Sequence, residues 1–493
     1  MQVTATSYIY SNPVRQLLLA ALLLLSIVST PLAQDGYVVT EVSFSGNMAL
    51  SDGQLSEQIA IHGTGGLLGL FSGGEEFIYS RDALEADLER LTRYYQRQGF
   101  LNVEFRQPNL DVNHSDQQVK VTFVIVEGAP VVVDTIMFVS EQRSDTVSDS
   151  DSRREVDSLF QVVRGRLQLS PEVRFQDRLV EQDRRTLADF FANRGYPYVR
   201  STQRLDVDTS AMTVGITWRV NPGPLSAFGE VTVSGNENVP IDVILKQLAF
   251  KGGQRYQQLL LGRTQDWIYG LGAFRVVTVT ATIDSSMTDR VPVQIQVDEA
   301  PRLSTEFGVG YGREEEFRAH NQTRLIGFLG EVRRLELLVR HSALEPYHVD
   351  ISWIQPAFLT PHTSASISPF IRRQTEPGYT VNRYGGDIEI RHQFNRDLDA
   401  SARYVFEQVE LDRGSIARTE FTTSEFEGLY SKSSVIFGAT RDDSRPLFSP
   451  NSGSRLIATW KLSGLDLGSE YHFTSVLLEA QYYYGVMGIV IAS

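Results

Sequence analysis

The amino-acid sequence predicts a series of small α+β modules followed by an antiparallel transmembrane β-barrel. Three features carry that expectation: a β-α-α-β-β unit recurs through the first three hundred residues, the pattern turns to strict period-two alternation after about Arg302, and the chain opens on an apolar export-type leader. Internal repeats come first in the reasoning, because a missed repeat misassigns the fold of a whole chain.

Arg15 precedes an apolar run from Leu17 to Val28, the length of a signal-peptide core and too short to span a bilayer. Cleavage after Ala33 suits the small residue such a site needs. No other segment approaches about 20 unbroken apolar residues, so any membrane domain in the mature chain must cross with strands. With 493 residues and 42% hydrophobic content the chain is long enough for several cores. Its formal net charge of −14 argues against nucleic acid as a partner, since phosphate binding needs clustered Lys and Arg. Cysteine is absent, which removes disulfides, thiolate metal sites and cysteine nucleophiles together.

The repeat is legible in two places. Val42-Ser43-Phe44-Ser45-Gly46-Asn47 returns as Val231-Thr232-Val233-Ser234-Gly235-Asn236, and Tyr94-Tyr95-Gln96-Arg97-Gln98-Gly99-Phe100 returns as Phe190-Phe191-Ala192-Asn193-Arg194-Gly195-Tyr196. Gly-Asn after a short alternating strand suits a chain reversal, because both residues tolerate positive φ. In the first unit Leu84, Leu88, Leu91 and Tyr95 share one helical face, with Ser80 placed to cap the start and Gly99 the end. Val180, Leu187 and Phe191 repeat that face before Gly195. The third unit offers Ile241, Ile244, Leu245 and Leu248 on one helix, then Trp267, Ile268 and Leu271 on another. Two alternating strands close each unit and run into Glu-Gly-Ala-Pro, Asn-Pro-Gly-Pro or Glu-Ala-Pro. The second unit departs from the pattern: Ser140 to Ser152, rich in Ser and Asp, stands where Gly-Asn is expected and reads as a solvated loop.

After about Arg302 helical periodicity fades and about eleven strands follow. Tyr347, Val349, Ile351 and Trp353 share one face against His348, Asp350 and Ser352; Leu335, Leu337 and Val339 oppose Glu336 and Arg340; Ile388, Ile390 and Phe394 oppose Asp387, Glu389, Arg391 and Gln393. A sandwich would bury the apolar face on a second sheet, whereas a membrane barrel presents it to lipid around a polar lumen. Alternation alone leaves both open. The leader and the aromatics near strand ends, such as Trp353, Phe358, Tyr384 and Trp460, favour the barrel.

The repeated unit resembles the POTRA (polypeptide-transport-associated) module, and the whole resembles the BamA/TamA superfamily of outer-membrane assembly barrels (surface antigen D15 type), with the module count placing it nearest the three-POTRA TamA group. The segment Asp443-Ser444-Arg445-Pro446-Leu447-Phe448-Ser449-Pro450-Asn451-Ser452-Gly453 is similar to a turn of that family, through Asp443, Arg445, Pro450 and Gly453. An exposed turn pair is the plain alternative for Asp443 and Arg445. The resemblance implies a leader at 1–33, modules at 36–129, 130–222 and 223–299, and a barrel from 300 to 493. It also implies sixteen strands, a lumen loop bearing a Val-Arg-Gly-Phe-like tetrad and an aromatic terminus, none of which is visible after Gly453. The chain is therefore expected to be truncated or frameshifted at its C-terminus, short of the strands that would close the barrel.

Other motifs point nowhere. Gly63-Thr64-Gly65-Gly66-Leu67-Leu68-Gly69 lacks the Gly-Lys-Ser/Thr ending of a phosphate loop, the histidines show no ligand spacing, and no Gly-x-Ser-x-Gly occurs. No cofactor, metal or catalytic residue is expected and the chain does not read as an enzyme. The resemblance implies an assembly or translocation factor in the cell outer membrane, its modules in the periplasm, taking unfolded outer-membrane or secreted β-proteins as clients. Partners would be those clients, the lipid bilayer and an inner-membrane-anchored TamB-like protein. The module positions singled out are Gly46, Asn47, Gly99, Gly195, Gly235 and Asn236. A passive pore with anchoring domains, a two-partner-secretion translocator and a soluble periplasmic binding protein remain as alternatives.

Overall fold

A computed structural model describes residues 36–63, 77–141, 150–284, 287–412, 429–446, 448–464, 468–486 and 489–492. The leader at 1–33 and most of the glycine-rich stretch lie outside the described residues. The chain divides into two compact units, one of residues up to 190 with 200–221 and one of 191–199 with 222 onward. The first holds the greater part of two modules; the second holds a third module and a large sheet.

In module 1, β1 (Val38–Ser45) is followed by α1 (Asp52–Ser56), α2 (Arg81–Arg97), β2 (Glu104–Phe105), β3 (Asn109–Asn113) and β4 (Gln118–Val126). β4 lies at the centre, parallel to β1 and antiparallel to β2 and β3. Its alternate residues Val119, Val121, Phe123 and Ile125 are buried beneath Leu84, Leu91 and Tyr95 of α2. Ser51 and Gln54 form a reciprocal capping box at α1. Ser80 does sit at the N-cap of α2, but its side chain makes no capping hydrogen bond. It follows residues already paired with β1, and its extended backbone (φ −137°, ψ 136°) continues that segment.

Module 2 repeats the order with β5 (Val132–Ser140), α3 (Ser150–Arg164), α4 (Asp177–Ala192), β6 (Arg200–Asp208) and β7 (Thr213–Asn221), in sheet order β5-β7-β6. The Ser- and Asp-rich stretch 140–152 is not all loop: Ser140 ends β5 and residues from Ser150 open a helix. Ser and Asp are favoured at helix N-termini, so the same composition that suggested solvated coil also starts α3. Module 3 comprises β8 (Ala227–Ser234), α5 (Ile241–Leu245), α6 (Gln258–Gly270), β9 (Phe274–Ala281) and β10 (Arg290–Glu299), in order β8-β10-β9. On α5 the buried pair is Val243 and Ile244, while Ile241 is exposed at the first turn.

One buried polar contact recurs in all three modules. Asp87 accepts from the backbone N–H of Ala60 (2.8 Å) and Ile61 (3.0 Å); Asp183 accepts from Gln168 (2.6 Å) and Leu169 (3.0 Å). In module 3 Thr264 stands in, accepting from the N–H of Ala249 (3.0 Å). All three residues are fully buried, each four positions before the central core residue Leu91, Leu187 or Ile268. The second helix thus satisfies the backbone where the chain leaves the first helix.

The sheet of unit two has eleven strands: β11 (Leu303–Gly312), β12 (Glu316–Ile326), β13 (Arg334–His341), β14 (Tyr347–Gln355), β15 (Thr363–Glu376), β16 (Tyr379–Gln393), β17 (Leu398–Leu411), β18 (Leu429–Asp442), β19 (Ser452–Ser463), β20 (Phe473–Val486) and β21 (Ile489–Ala492). Each pairs antiparallel with its neighbours, and β11 and β21 are the two ends of the order. The C-terminal stretch that reads unlike a barrel terminus nevertheless supplies β21, paired from Val486↔Ile489 to Tyr483↔Ala492. The register aligns Leu335, Trp353, Ile367, Ile388, Tyr404, Val435 and Leu462 across seven strands on one face. The other face carries charge: Glu389 pairs with Arg391 (2.9 Å) and with Arg403, and Glu407 lies 3.8 Å from Arg372 and Arg383. An apolar belt opposite an ion-paired face is the chemistry of a barrel wall between lipid and lumen.

Replacing Asp183 with Ala is expected to remove about 2 kcal/mol of local stability, since it leaves two buried amides without an acceptor. Hydrogen exchange at Gln168 and Leu169 then accelerates roughly thirtyfold; Asp183→Asn, which keeps one acceptor oxygen, should fall between.

Candidate functional site

A module that recruits an extended chain needs a free sheet edge, so the edges matter most. The first strand of every module has its outer edge closed at its start by the residues just before the second helix. Tyr79 N donates to Tyr37 O (2.7 Å) and Val39 N to Phe77 O (2.8 Å) around the Val38↔Ile78 bridge; Val133 N donates to Val173 O (2.9 Å) around Val132↔Arg174; Phe228 N donates to Gln254 O (2.8 Å) around Ala227↔Arg255. The opposite edges differ among modules. In module 1 that edge is broken into β2 and β3, with Pro108 between them. In module 2, β6 runs nine residues in unshifted register against β7, from Arg200↔Asn221 to Asp208↔Thr213, with no strand on its other side among the described residues. In module 3, β9 offers eight residues in the same position. Leu205 and Val207 of β6 stand on the helix-side face and remain 37% and 46% exposed, where an incoming apolar side chain could cover them.

The turn glycines have a strict geometric reason. Gly46 and Gly235 both have φ +85°, and a Cβ would lie 2.1 Å from Ile125 O and 2.0 Å from Val297 O. Asn47 donates to Leu50 O (3.0 Å) and Asp52 Oδ1 (2.7 Å), and Asn236 donates to Val239 O (3.1 Å). Gly99 and Gly195 have φ +90° and +92° at the helix exits, where Phe100 N bonds back to Tyr95 O (2.9 Å) and Tyr196 N to Phe191 O (3.1 Å).

What the sequence did not single out is the carboxylate that pins each Gly-Asn turn. Glu127 takes the N–H of Ala49 on both oxygens (3.1 and 3.0 Å) and the hydroxyl of Tyr95 (3.1 Å). Glu299 takes the N–H groups of Glu237, Asn238 and Val239, each at 2.8 Å. Burial alone would push the Glu299 carboxyl up, but the N–H of Val239, the amide and backbone of Asn238 and the N–H of Glu237 together hold it below the usual range. Module 2 has lost both halves of the device: Asn221 replaces the Glu, and no Gly-Asn follows β5. The Glu ahead of Ala-Pro or Gly-Ala-Pro was the available signal.

The segment Asp443–Gly453 connects β18 to β19 at the rim where module 3 enters the sheet, since β11 starts at that rim and successive hairpins alternate. Asp443 Oδ1 accepts from Ser454 N (2.6 Å) and Ser454 Oγ (3.0 Å), which holds its carboxyl below the usual range. Gly453 has φ +98°, and a Cβ would lie 2.5 Å from Asp443 O. Arg445 N bonds to Ser452 O (2.9 Å), and its guanidinium pairs with Asp397 in the neighbouring turn. Pro450 is half-buried and Phe448 is fully exposed. Beside Asp397, Arg396 makes a two-pronged pair with Asp266 of α6 (2.6 and 2.9 Å), and the Trp267 ring lies 5.4 Å from that of His362, tilted by 39°. Arg445 is thus more than an isolated turn residue: it belongs to a rim network that reaches module 3.

The POTRA family model (surface antigen variable number repeat) matches residues 37–128 and 226–300, and the Omp85 superfamily domain matches 328–493. The chain belongs to the Omp85 superfamily. Module 2 falls between the two POTRA matches and shows its kinship through its β-α-α-β-β order. Outer membrane protein assembly factor BamA of Nitratidesulfovibrio vulgaris (strain Hildenborough) is 20% identical over 447 residues, 90% of this chain and 54% of that protein. BamA of Neorickettsia risticii (strain Illinois) is 22% identical over 365 residues, 73% of this chain and 46% of that one. This Omp85 chain therefore spans about half the length of the curated relatives it matches. A crystal structure of Haemophilus ducreyi BamA lacking POTRA domains 1–3 superposes with a TM-score of 0.50 at 15% identity, covering 71% of this chain and 67% of that one, a likeness of fold.

Two outcomes test this geometry. Gly235→Ala forces a side chain into the left-handed region and onto Val297 O, and should lower the unfolding midpoint of module 3 by at least ~2 kcal/mol equivalent. Glu299 has a folded-state pKa below its unfolded value, so the stability it contributes is present above the unfolded pKa and is lost as pH falls through the folded one. A pH series of urea midpoints should show that loss below the ordinary glutamate range, and Glu299→Gln should flatten it.

Proposed function

We propose that this protein is an outer-membrane assembly or translocation factor that receives unfolded β-clients along the open edges of its second and third modules and passes them to its sheet. The observation that carries this reading is β6: nine residues of unbulged, solvent-exposed edge with no strand partner among the described residues. An added strand gains main-chain hydrogen bonds whatever its side chains, which suits a factor serving many clients. The names of the relatives, outer membrane protein assembly factors, support the same role and an outer-membrane location with the modules in the periplasm. The count of three modules supports kinship with the TamA group, and with it an inner-membrane-anchored partner of the TamB type. No bond is made or broken in such a step; the driving terms are sheet completion and burial of the client's apolar band in lipid.

Deleting residues 36–298 should abolish the insertion of a β-barrel client that liposomes carrying the parent protein support. Insertion that persists at the parental rate overturns the docking role, and a large client-independent conductance would favour the passive pore instead. A photo-crosslinker at Gln203 of β6 should capture unfolded client more efficiently than one at Thr40 on the closed edge of module 1.

A further inference from the structure

The three helix-exit glycines share a neighbour that the repeat by itself does not explain. Each lies under an arginine supplied by the domain that follows it. A Cβ on Gly99 would stand 3.6 Å from Cγ of Arg174, on Gly195 it would stand 2.7 Å from Nε of Arg255, and on Gly272 it would meet Nη1 of Arg334 at 1.8 Å. Gly99 and Arg174 belong to modules 1 and 2; Gly195 precedes module 3, which supplies Arg255; Gly272 closes α6 of module 3, and Arg334 opens β13 of the sheet. The guanidinium of Arg174 lies 5.3 Å from the ring centre of Phe100, and that of Arg255 lies 5.9 Å from the ring centre of Tyr196, each the residue after the glycine. Arg255 also donates from Nε to Arg194 O (2.8 Å). Backbone bonds run alongside: Val131 N to Gly99 O (2.7 Å), Ser226 N to Gly195 O (2.7 Å) and Ala300 N to Ala273 O (2.9 Å).

Arg174 and Arg255 occupy the same place in their modules, the residue bridged to the start of the first strand. In module 1 that place is held by Ile78, an aliphatic side chain 62% exposed. The arginine is therefore no requirement of the fold of a module; it stands where a module lies ahead. Arg334 comes from a strand of the large sheet and from a different local structure, yet reaches the equivalent glycine. Its side chain is largely buried, and Ile326 and Val332 from the same hairpin join the core of module 3.

We propose that Arg174, Arg255 and Arg334 are positioning residues of one repeated contact, in which an arginine laid beside a helix-exit glycine holds that helix exit against the segment that follows it, module 2 on module 1 through Arg174, module 3 on residues 191–199 through Arg255 and the sheet on module 3 through Arg334. At Gly272 a Cβ would occupy the arginine's own path, at Gly195 it would meet Leu225 (2.6 Å) as well as Arg255 (2.7 Å), and at Gly99 it would run into the carbonyl oxygen of Phe175 (2.4 Å), the residue after Arg174. The stem of Arg174 lies over Gly99 and the Nε end of Arg255 over Gly195, their heads against the rings of Phe100 and Tyr196, whereas at Gly272 the guanidinium of Arg334 itself lies on the glycine. Without such a wedge, domains joined by short Pro-rich segments move by default.

The chain has no cysteine, so paired labels can be introduced without background. In the full chain in detergent micelles, spin labels at Glu57→Cys with Asp157→Cys report on modules 1 and 2, and labels at Lys251→Cys with Leu359→Cys report on module 3 and the sheet. Pulsed-EPR distance distributions should be narrow in the parent. Arg174→Met and Arg334→Met, which keep the stem and remove the head, should each broaden the distribution across its own joint about twofold and leave the other joint unchanged. Gly272→Ala, with the arginine intact, should broaden the second joint as Arg334→Met does. Circular dichroism and amide exchange within each module should stay at parental values in the Met variants, which separates loss of positioning from loss of fold. Distributions that remain as narrow as the parent's in both Met variants overturn the proposal.

Discussion

A backbone N–H or C=O removed from water must find a partner, and most of this molecule can be derived from how it meets that demand. In the modules, the residues before each second helix close the outer edge of the first strand, and a buried Asp or Thr on the second helix accepts from the backbone leaving the first. Glu127 and Glu299 gather the amides of the Gly-Asn turns. In the large sheet the same demand is met between neighbouring strands, ten pairings in sequence order. What is left over is informative: β6 and β9 each have one side without a strand among the described residues, and a further strand would gain main-chain hydrogen bonds there by simply being a strand.

The modules also show how a repeated unit can vary without losing its fold. Module 2 lacks the Gly-Asn turn and the glutamate that would hold it, and the two losses go together because each group is satisfied chiefly by the other. Module 3 replaces the buried Asp with Thr264 and ends its second helix a turn sooner, placing Gly272 four residues after Ile268 where modules 1 and 2 have an aromatic. That shortening brings the helix exit against the sheet rather than against another module, and Arg334, Ile326 and Val332 complete its packing.

At the rim the energetic weights differ. The Arg396–Asp266 pair is substantially exposed and contributes on the order of 1 kcal/mol or less, whereas the apolar contacts of Ile326 and Val332 within the module 3 core contribute more through burial. The ion pairs set direction and register; the buried contacts supply adhesion. The turn at Asp443–Gly453 takes part through Arg445 and Asp397, next to the residue that grips α6.

Local pattern sufficed for much of the fold. Period two marked the strands of the sheet and their two faces, the spacing of Leu84, Leu91 and Tyr95 marked a helix, and Gly46, Gly99, Gly195 and Gly235 were found because positive φ restricts residue type directly. Composition misled where one set of residues serves two purposes, as Ser and Asp do in solvated coil and at the start of α3. Glu127 and Glu299 left one trace, the Glu ahead of Gly-Ala-Pro or Ala-Pro, whereas Asp87, Asp183 and the three joint arginines were beyond reach for a different reason. Each acts on backbone or on glycine far away in sequence, and an isolated Asp or Arg has no periodicity to betray it. Which edges are closed, which arginine lies on which glycine and which carboxylate gathers which amides are properties of the folded chain alone, because they depend on segments that only tertiary packing brings within a hydrogen bond of one another.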